Sequence, residues 1–472
     1  MNYEESIRAL LSLGRELAAP RQPALSLAQG AKVQKFGLEN ITTLAAALGD
    51  PQLKIPCAHI AGTNGKGSTA AMLESILRAS GLRTGLFTSP HLERINERIR
   101  INGENISDEA FAAAWTRIRA TIESLMAAGK LAAHPSFFEC VTAIAFVSFA
   151  NAGVDFVVYE VGMGGRFDAT NIVQPAVAAI TAIDFDHEAY LGHSIEEIAA
   201  EKAGIIKPGG CVVNAAGRPE ACAVIARRCK EVGARLVEIE EIWNIGDVTA
   251  SGGCYSAVIA PKDAPDRKIV IAPQLHGRFQ LRNALTSATA ASLLGERGFA
   301  VTNEAIASGI ASVRWPGRLE RISSRPDIYL DGAHNPAGAR ELLKFWEENF
   351  AGRRILLVYG AMRDKAVDEI AGLLFPRADS VILTEPRQPR AVSAAVLAEM
   401  TGHLAEDSDK LVTVRDPGEA FEHAIRVAQP EDAIFVTGSL YLVGDLRRYW
   451  NDRVATLAEP ERRLDPTKRR PI

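Results

Sequence analysis

The sequence predicts a two-domain α/β protein. An N-terminal domain with a mainly parallel sheet and a small antiparallel patch is followed by a C-terminal Rossmann-like α/β domain. Two observations support this. Short apolar runs alternate with helical stretches along most of the 472 residues, as in parallel sheets with helices on both faces. The chain is also longer than one typical domain. We expect domains over residues 1–313 and 314–472, because the strand and helix pattern restarts after the Trp-Pro-Gly segment near residue 315.

Each predicted element follows from the local residue pattern. Apolar residues at helical spacing predict helices over residues 4–17, 41–48, 68–80, 137–150 and 282–294. Compact apolar runs predict buried strands over residues 57–61, 84–88, 155–161 and 177–183, and in the second domain over 328–330, 355–359, 380–383 and 433–436. No helix is predicted between the runs 236–239 and 254–260. We therefore assign these two runs to the antiparallel patch.

Composition excludes several classes of protein. Hydrophobic residues make up 47% and charged residues 23% of the chain, which excludes a disordered or coiled-coil protein. The net charge of −4 argues against a general nucleic-acid partner. The six cysteines form no CxxC pair or zinc-site spacing, as expected of reduced thiols. Neither a signal peptide nor a membrane span of ~18–20 apolar residues is predicted, so we expect a cytoplasmic protein without a membrane partner.

The first motif with chemical meaning joins the strand 57–61 to the helix 68–80. It reads Gly62-Thr63-Asn64-Gly65-Lys66-Gly67-Ser68. Backbone N–H groups of such a loop and the helix N-terminus attract phosphate oxygens. Lys66 is placed to reach the β- and γ-phosphates, and Ser68 to ligate Mg²⁺. The general pattern expects glycine where Ile60 stands, and Gly62 supplies it instead. The alternative is an ordinary glycine-rich turn, but the strand and helix context favours a P-loop-type domain.

Three further residues are candidates for the same site. Glu160 ends a predicted strand, at the edge where α/β sheets bind ligands, and a carboxylate suits Mg²⁺. Its alternative roles are to cap a helix or to pair with Arg166. His187 also follows a strand, although a lone histidine is more often structural. Lys202 lies among small and apolar residues, where a buried lysine must pair, lose its proton or be modified. Its alternatives are to reach solvent or to pair with Glu201.

A second cluster opens the C-terminal domain. Asp331, His334 and Asn335 lie together on a strand-to-helix turn. Their alternative role, at least for Asp331 and Asn335, is to cap the following helix. Arg318, just after the predicted boundary, is a candidate phosphate contact, while a surface role is the alternative for any single arginine.

Five segments in this order resemble the folylpolyglutamate synthase/dihydrofolate synthase family of the Mur ligase superfamily. They are AGTNGKGS at 61–68, TSPHL at 88–92, EVGMGGRFDATN at 160–171, EKAGI at 201–205 and DGAHNP at 331–336. Each segment alone is modest evidence, whereas five in order are specific. The resemblance extends over residues 36–439. This superfamily shifts the first loop glycine, which accounts for Ile60.

The resemblance implies an ATP-dependent amide ligase that joins L-glutamate to dihydropteroate or to a reduced folate. ATP would phosphorylate the acceptor carboxylate, and the glutamate amine would attack the acyl phosphate. The segment 167–171, FDATN, is similar to bifunctional members and favours both activities. The resemblance also implies Mg²⁺, in two sites, and a C-terminal domain that supplies glutamate contacts. We expect a monomer.

The resemblance further implies roles for individual residues. Catalytic roles fall to Lys66, His187, Lys202 and Arg318. ATP contacts fall to Gly62, Thr63, Asn64, Gly65, Lys66, Gly67, Ser68, Thr69, Asn283, Arg318, Asp331 and His334. Contacts to the pterin-bearing substrate fall to Thr88, Ser89, Pro90, His91, Phe138 and Asp168. The magnesium ligands would be Ser68, Glu160, His187 and Lys202, with Lys202 carbamylated.

Several other functions compete with this hypothesis. One is folylpolyglutamate synthase activity alone. Another is a Mur-type ligase for cell-wall precursors, which usually has an extra N-terminal domain, whereas too few residues precede Gly62 here for such a domain. A regulatory P-loop ATPase would need switch-like loops and no small-substrate cleft. A scaffold without activity would leave Lys66, Glu160, His187 and Lys202 unexplained.

Overall fold

The computed structural model describes residues 1–14, 37–131, 133–404 and 410–463. The chain forms two compact units. The first comprises the described part of Met1–Ala250, with Tyr255–Gln274 and Phe279–Val313. The second comprises Ser251–Cys254, Leu275–Arg278 and the described part of Arg314–Ile472. Two short segments from the stretch 251–278 therefore belong to the second unit. Each unit contains its own sheet of mainly parallel strands, so the structure confirms the predicted α/β class.

An eight-stranded sheet forms the centre of the first unit as described, in the order β4-β3-β2-β5-β1-β6-β7-β8. Its strands are β1 (Cys57–Ala61), β2 (Thr84–Phe87), β3 (Ile99–Ile101), β4 (Glu104–Asn105), β5 (Phe156–Glu160), β6 (Val177–Ile180), β7 (Cys211–Asn214) and β8 (Arg235–Glu238). Strands β2, β5, β1, β6, β7 and β8 are parallel to one another, and β3 and β4 add an antiparallel edge beside β2. Every residue of β1 and β5 is buried, as expected of central strands covered on both faces.

Helices pack around this sheet. They are α1 (Tyr3–Ser12), α2 (Glu39–Ala47), α3 (Lys66–Ala79), α4 (Asp108–Ala127), α5 (Phe137–Ala152), α6 (Glu188–Leu191), α7 (Ile195–Lys202), α8 (Pro219–Val232), α9 (Ile239–Ile242), α10 (Phe279–Glu296) and α11 (Asn303–Ser312). Single 3₁₀ turns lie at Pro51–Leu53, Ile95–Arg98, Ala169–Ile172 and Ala203–Ile205. The predicted helix 4–17 ends at Ser12, and its residues 15–17 lie outside the described part of the chain.

The antiparallel patch is a three-stranded sheet of β9 (Trp243–Ser251), β10 (Cys254–Pro261) and β11 (Ile269–Ile271). The prediction that residues 236–239 belong to it was wrong. Leu236 and Val237 lie in β8, which pairs in parallel with β7 at the edge of the large sheet. An edge strand is only partly covered, and Val237 is the one buried residue of β8, so the run looks like a strand of a half-exposed antiparallel sheet.

A six-stranded sheet forms the second unit as described, in the order β12-β13-β17-β14-β15-β16. Its strands are β12 (Glu320–Ser324), β13 (Asp327–Leu330), β14 (Ile355–Tyr359), β15 (Ser380–Leu383), β16 (Leu411–Thr413) and β17 (Ala433–Thr437). Only β12 pairs antiparallel. The helices are α12 (Pro336–Asn349), α13 (Val367–Leu374), α14 (Ala394–Thr401), α15 (Pro417–Val427) and α16 (Leu440–Arg463), with 3₁₀ turns at Phe375–Arg377 and Gly402–Leu404.

Aromatic packing explains why residues 275–278 belong to the second unit. The His276 ring meets the Tyr329 ring edge to face at 5.3 Å, and Tyr329 stacks on Phe435 at 5.1 Å between centroids. Such pairs stabilise a core beyond their buried area. Among the described helices, none combines the length and the apolar character needed to cross a bilayer.

Candidate active site

Four neighbouring parallel strands of the first unit end at one edge of the sheet. In spatial order they are β2, β5, β1 and β6. The segments that leave their carboxyl ends are Thr88–His91, the loop after Glu160, the loop Gly62–Ser68 and the loop that leads from Thr181 to His187. Ligands of open α/β sheets bind at this edge. The fold therefore gathers most of the predicted site residues of this unit along one side of the sheet.

The phosphate loop needs glycine at Gly65. This residue has φ +87° and precedes α3, and a Cβ there would lie 2.4 Å from Asn283 Oδ1. The close approach also shows that Asn283, on α10, lies against the loop. Lys66 Nζ donates hydrogen bonds to the carbonyl oxygens of Gly62 at 3.0 Å and Thr63 at 2.9 Å. The lysine side chain therefore folds over the loop in which phosphate oxygens bind in such motifs.

Two threonine hydroxyls join the phosphate loop to the segment after β6. Thr181 Oγ1 donates to the carbonyl oxygen of Asn64 at 2.8 Å. Thr63 Oγ1 donates to the carbonyl oxygen of Asp184 at 2.9 Å and accepts from its N–H at 3.1 Å. The predicted strand 177–183 therefore ends at Ile180, because the following residues bond to the phosphate loop. Sequence reasoning missed Thr181, since a threonine after a strand carries no specific signal.

The segment Thr88–His91 is held from two sides. Glu160 Oε2 accepts a hydrogen bond from the Ser89 N–H at 3.0 Å. The carbonyl oxygen of Arg98 accepts from the Thr88 N–H at 3.0 Å, and Arg98 Nε donates to His91 Nδ1 at 2.8 Å. Arg98 is 2% exposed and was not foreseen, because an isolated arginine in a sequence is expected at the surface. The Ser89–Pro90 bond is cis.

Asp168 and Phe138 both contact the loop after β5. Asp168 is buried and accepts hydrogen bonds from the Met163 N–H at 3.0 Å and from the Thr170 N–H at 3.0 Å. Burial raises the pKa of Asp168, while the hydrogen bonds it accepts act in the opposite direction. A Cβ on Gly162 would lie 2.5 Å from Cζ of Phe138, so the loop backbone packs closely against the tip of this aromatic ring.

Lys202 ends α7 and is 3% exposed. Its Nζ donates to the carbonyl oxygen of Gly62 at 2.8 Å. Burial lowers the pKa of Lys202 to about 7, Lys66 acts in the same direction, and Asp186 and Asp168 oppose both. Neither alternative predicted for Lys202 applies, since the residue is buried and Glu201 instead pairs with Arg166 at 3.8 Å. A lysine with a pKa near 7 carries a substantial fraction of neutral, nucleophilic amine.

His187 adopts a left-handed backbone conformation, with φ +51°, and precedes α6. Its N–H donates to Asp186 Oδ1 at 2.9 Å, and its Nε2 lies 3.9 Å from Asp186 Oδ2. Only a minority of residues other than glycine adopt this conformation. The histidine is therefore fixed beside a carboxylate at the edge of the sheet.

The predicted magnesium ligands differ in chemistry. Ser68 and Glu160 offer hard oxygen atoms and are both buried, and His187 lies after the neighbouring strand. No cluster of three or more His, Cys, Asp or Glu side chains suited to a metal occurs among the described residues. Mg²⁺ usually takes only one or two carboxylates and completes its shell with substrate phosphates and water. The oxygen donors therefore fit an ion shared with a nucleotide, whereas the amine of Lys202 is a ligand only after conversion to a carboxylate.

The second unit carries the remaining predicted residues. Asp331 accepts hydrogen bonds from the Leu319 N–H at 2.9 Å and the Ala333 N–H at 3.0 Å. Burial raises the pKa of Asp331, and Arg318 opposes this effect. His334 Nδ1 lies 2.7 Å from the carbonyl oxygen of Gly332. Arg318, Asp331 and His334 are therefore brought together around one turn. Asn335 takes the predicted alternative role, because its side chain caps α12.

The chain is similar in sequence to two Mur ligase domains and to known folate enzymes. Residues 60–291 match the Mur ligase middle domain, and residues 317–440 match the Mur ligase glutamate ligase domain. The chain is 38% identical to the dihydrofolate synthase/folylpolyglutamate synthase of Bacillus subtilis, over 88% of this chain and 95% of the relative. It is 34% identical to the Escherichia coli protein of the same name, over 87% of this chain and 90% of that protein.

Solved structures of proteins with the same or a related name are also similar to this chain. A folylpolyglutamate synthase of Mycobacterium tuberculosis, complexed with ADP and AMPPCP, has a TM-score of 0.80 and 34% identity, and covers 88% of this chain and 95% of its own. Escherichia coli FolC in complex with DHPP and ADP has a TM-score of 0.80 and 30% identity, with 96% and 98% covered. This chain belongs to the dihydrofolate synthase/folylpolyglutamate synthase family of Mur ligases.

Proposed function

We propose that this chain uses ATP to join L-glutamate to dihydropteroate and to the γ-carboxylate of reduced folates. The observation that supports this most directly is the contact between Glu160 and Ser89. It links the strand end beside the phosphate loop to the segment proposed to bind the acceptor. A nucleotide phosphate and an acceptor carboxylate bound at these adjacent strand ends would be neighbours, as phosphoryl transfer between them requires.

The reaction requires two displacements. An oxygen of the acceptor carboxylate attacks the γ-phosphorus of ATP, the bond from that phosphorus to the β–γ bridging oxygen breaks, and ADP leaves. The amine of L-glutamate then attacks the carbonyl carbon of the acyl phosphate, loses a proton, and phosphate leaves with the amide formed. The activated group is carried by the substrate, so no protein nucleophile is needed. Catalysis depends on positioning and charge neutralisation.

The roles of the chain follow from this chemistry. Lys66 and the N–H groups of residues 63–69 would hold the β- and γ-phosphates, with Asn283 supporting the loop. In the second unit, Arg318, Asp331 and His334 would bind ATP. Thr88 to His91, Phe138 and Asp168 would hold the pterin-bearing acceptor. Arg318 is the best candidate there to neutralise charge on the transferred phosphoryl group, because guanidinium matches phosphate oxygens in pairs.

Mg²⁺ would be held by Ser68, Glu160 and His187, with Lys202 contributing to a second site after carbamylation. When bound, Mg²⁺ neutralises phosphate charge and polarises phosphoryl oxygens. The neutral fraction of Lys202 near pH 7 supports carbamylation, because only an unprotonated amine adds to carbon dioxide. The resulting carboxylate replaces a buried cation by an anion. We further propose a cytoplasmic monomer.

A labelled acceptor tests the acyl-phosphate route. Dihydropteroate carrying ¹⁸O in its carboxylate is incubated with Mg-ATP and L-glutamate, and the released phosphate is analysed by mass. The proposed route places one ¹⁸O atom in each phosphate, because the oxygen that attacked phosphorus leaves with it. Phosphate without label contradicts the route and supports the regulatory ATPase, whose hydrolysis takes its oxygen from water.

A further inference from the structure

A buried chain of hydrogen bonds connects the central strand β1 to Asp168. His59 lies in the middle of β1 and has no exposed surface. Its Nε2 lies 2.7 Å from Thr170 Oγ1, and Thr170 Oγ1 donates to Asp168 Oδ1 at 2.5 Å. Thr170 is also fully buried. None of the four kinds of role predicted from the sequence (catalysis, ATP contact, acceptor contact and magnesium binding) involves His59 or Thr170.

The direction of each hydrogen bond follows from proton counting. Both carboxylate oxygens of Asp168 accept from backbone, Oδ2 from Met163 and Oδ1 from Thr170, which favours the ionised carboxylate. The single hydroxyl proton of Thr170 is directed to Oδ1, so this hydroxyl must accept from His59. His59 therefore carries its proton on Nε2, and Nδ1 holds a lone pair.

The second ring nitrogen of His59, Nδ1, shows what it costs to have a histidine at this position. Among the described residues, His59 Nδ1 has no hydrogen-bond partner. Burial lowers the pKa of His59 to about 3, and Lys207 acts in the same direction, so the ring stays neutral. A buried acceptor without a partner costs stability that an apolar side chain would avoid. The gain that offsets this cost is the bond from Nε2 to Thr170.

We propose that His59 is a positioning residue for the acceptor site, acting through Thr170 to fix the orientation of the Asp168 carboxylate. The inference rests on the proposed function, in which Asp168 contacts the pterin-bearing substrate. Asp168 in turn accepts from the Met163 N–H, and so orders the loop that packs against Phe138. We call the hydrogen-bonded chain of His59, Thr170 and Asp168 the relay. Loss of the relay should weaken acceptor binding and leave the phosphate loop unchanged.

Matched variants of Thr170 and His59 test this. Thr170→Val keeps the shape and removes the hydroxyl, whereas Thr170→Ser keeps the hydroxyl. His59→Leu removes the donor, and His59→Gln offers an amide N–H in its place. We expect Thr170→Val and His59→Leu each to raise the KM for the acceptor about tenfold and the KM for ATP less than about twofold. Thr170→Ser and His59→Gln should recover most of the loss.

A double mutant and a control variant distinguish a specific effect on acceptor binding from general destabilisation of the protein. Because both residues act on one carboxylate, His59→Leu combined with Thr170→Val should raise the acceptor KM no further than Thr170→Val alone. Thr401→Val makes the same change at a fully buried threonine of the second unit, whose hydroxyl bonds its own helix at Leu397. It should leave both KM values unchanged. Thermal unfolding of every variant checks that the protein is folded.

Nitrogen-15 NMR of the His59 ring tests the relay without activity. The relay predicts a neutral ring protonated on Nε2 between about pH 5 and pH 8, and loss of that single tautomer in Thr170→Val. A ring protonated on Nδ1, or equal rises of both KM values in Thr170→Val, overturns the proposal while the wild type still forms product. No product from the wild type with any acceptor overturns the proposed function, and the acceptor role of the relay with it.

Discussion

The Nζ atom of Lys202 lies 2.8 Å from the carbonyl oxygen of Gly62, the first glycine of the phosphate loop. The end of α7 and the phosphate loop therefore meet, although 140 residues separate them in sequence. Lys66 donates to the same carbonyl oxygen at 3.0 Å. Two lysine side chains thus converge on one loop, and their mutual repulsion is one cause of the lowered pKa of Lys202.

The lowered pKa of Lys202 predicts a pH-dependent stability. The unfolded lysine binds a proton up to about pH 10.5 but the folded one only to about pH 7, so between these values the unfolded state binds more protons. The free energy of unfolding contributed by this residue therefore rises with pH across that window. In Lys202→Met, which has no titrating amine, this rise should be absent. The difference between the two proteins should reach a few kcal/mol.

Urea unfolding at several pH values measures that difference. Carbon dioxide must be excluded, because carbamylation replaces the amine. A wild-type protein whose stability follows the same pH curve as Lys202→Met would contradict a buried amine with a lowered pKa. A mass gain of one carbamate group when bicarbonate is added under native conditions, lost in Lys202→Met, would support the proposed modification.

Gly65→Ala should abolish tight ATP binding. Alanine at φ +87° is strained, and its Cβ would lie 2.4 Å from Asn283 Oδ1, so the loop or α10 must move. Gly81→Ala is the matched control, because Gly81 has φ +86° and open space around the added Cβ. Both changes cost about 1–2 kcal/mol of backbone strain. Only Gly65→Ala should weaken ATP binding, by more than about tenfold in a titration. Equal ATP affinities in the two variants would contradict the loop geometry.

Thr181→Val should raise the KM for ATP. It removes the hydroxyl that donates to the Asn64 carbonyl oxygen and leaves this loop carbonyl without that donor. A lost hydrogen bond of about 1 kcal/mol corresponds to roughly a fivefold rise. Thr181→Ser retains the hydroxyl and serves as the control. A Thr181→Val enzyme that is as effective as Thr181→Ser at low ATP would show that the hydroxyl does not hold the loop.

Asp331→Asn should destabilise the turn of the second unit. Both carboxylate oxygens of Asp331 accept hydrogen bonds from backbone N–H groups. One of these N–H groups is that of Leu319, a residue with φ +47°. An amide offers only one acceptor and turns its NH₂ toward the other N–H, at a cost of about 1–3 kcal/mol.

The exposed Asp379 provides the control for this change. A single oxygen of Asp379 accepts from the Ile355 N–H at 2.7 Å, and an asparagine oxygen can replace it. Thermal unfolding should therefore show a larger loss for Asp331→Asn than for Asp379→Asn. Equal losses would mean that the second acceptor oxygen contributes nothing to the turn.

Sequence reasoning predicted the strands best where burial is complete. Cys57–Ala61 and Ile355–Tyr359 have the predicted ends, because central parallel strands are buried along their whole length and are mostly apolar. It failed at residues 236–239, where an edge strand is covered on part of its surface. Short strands such as Ile99–Ile101 and Glu104–Asn105 were not predicted, since two or three residues carry no readable period.

The candidate site was predictable where a residue type is unusual for its surroundings. A lysine within an apolar helix marked Lys202, and a glycine-rich turn marked Lys66. The supporting residues were not predictable. Thr181 bonds to Asn64 and Thr170 to His59, which lie 117 and 111 residues away in sequence, and a local pattern contains no information about such partners.

Phosphate release from Mg-ATP with L-glutamate, measured with dihydropteroate, with tetrahydrofolate and with no acceptor, shows directly whether this chain is a glutamate ligase. Product masses are read from the same reactions. We expect release with both acceptors, each product heavier by one glutamyl unit, and little release without an acceptor. Release with tetrahydrofolate alone would leave only the tail-extending activity. Equal release in all three reactions, with no new product mass, would contradict the ligase assignment.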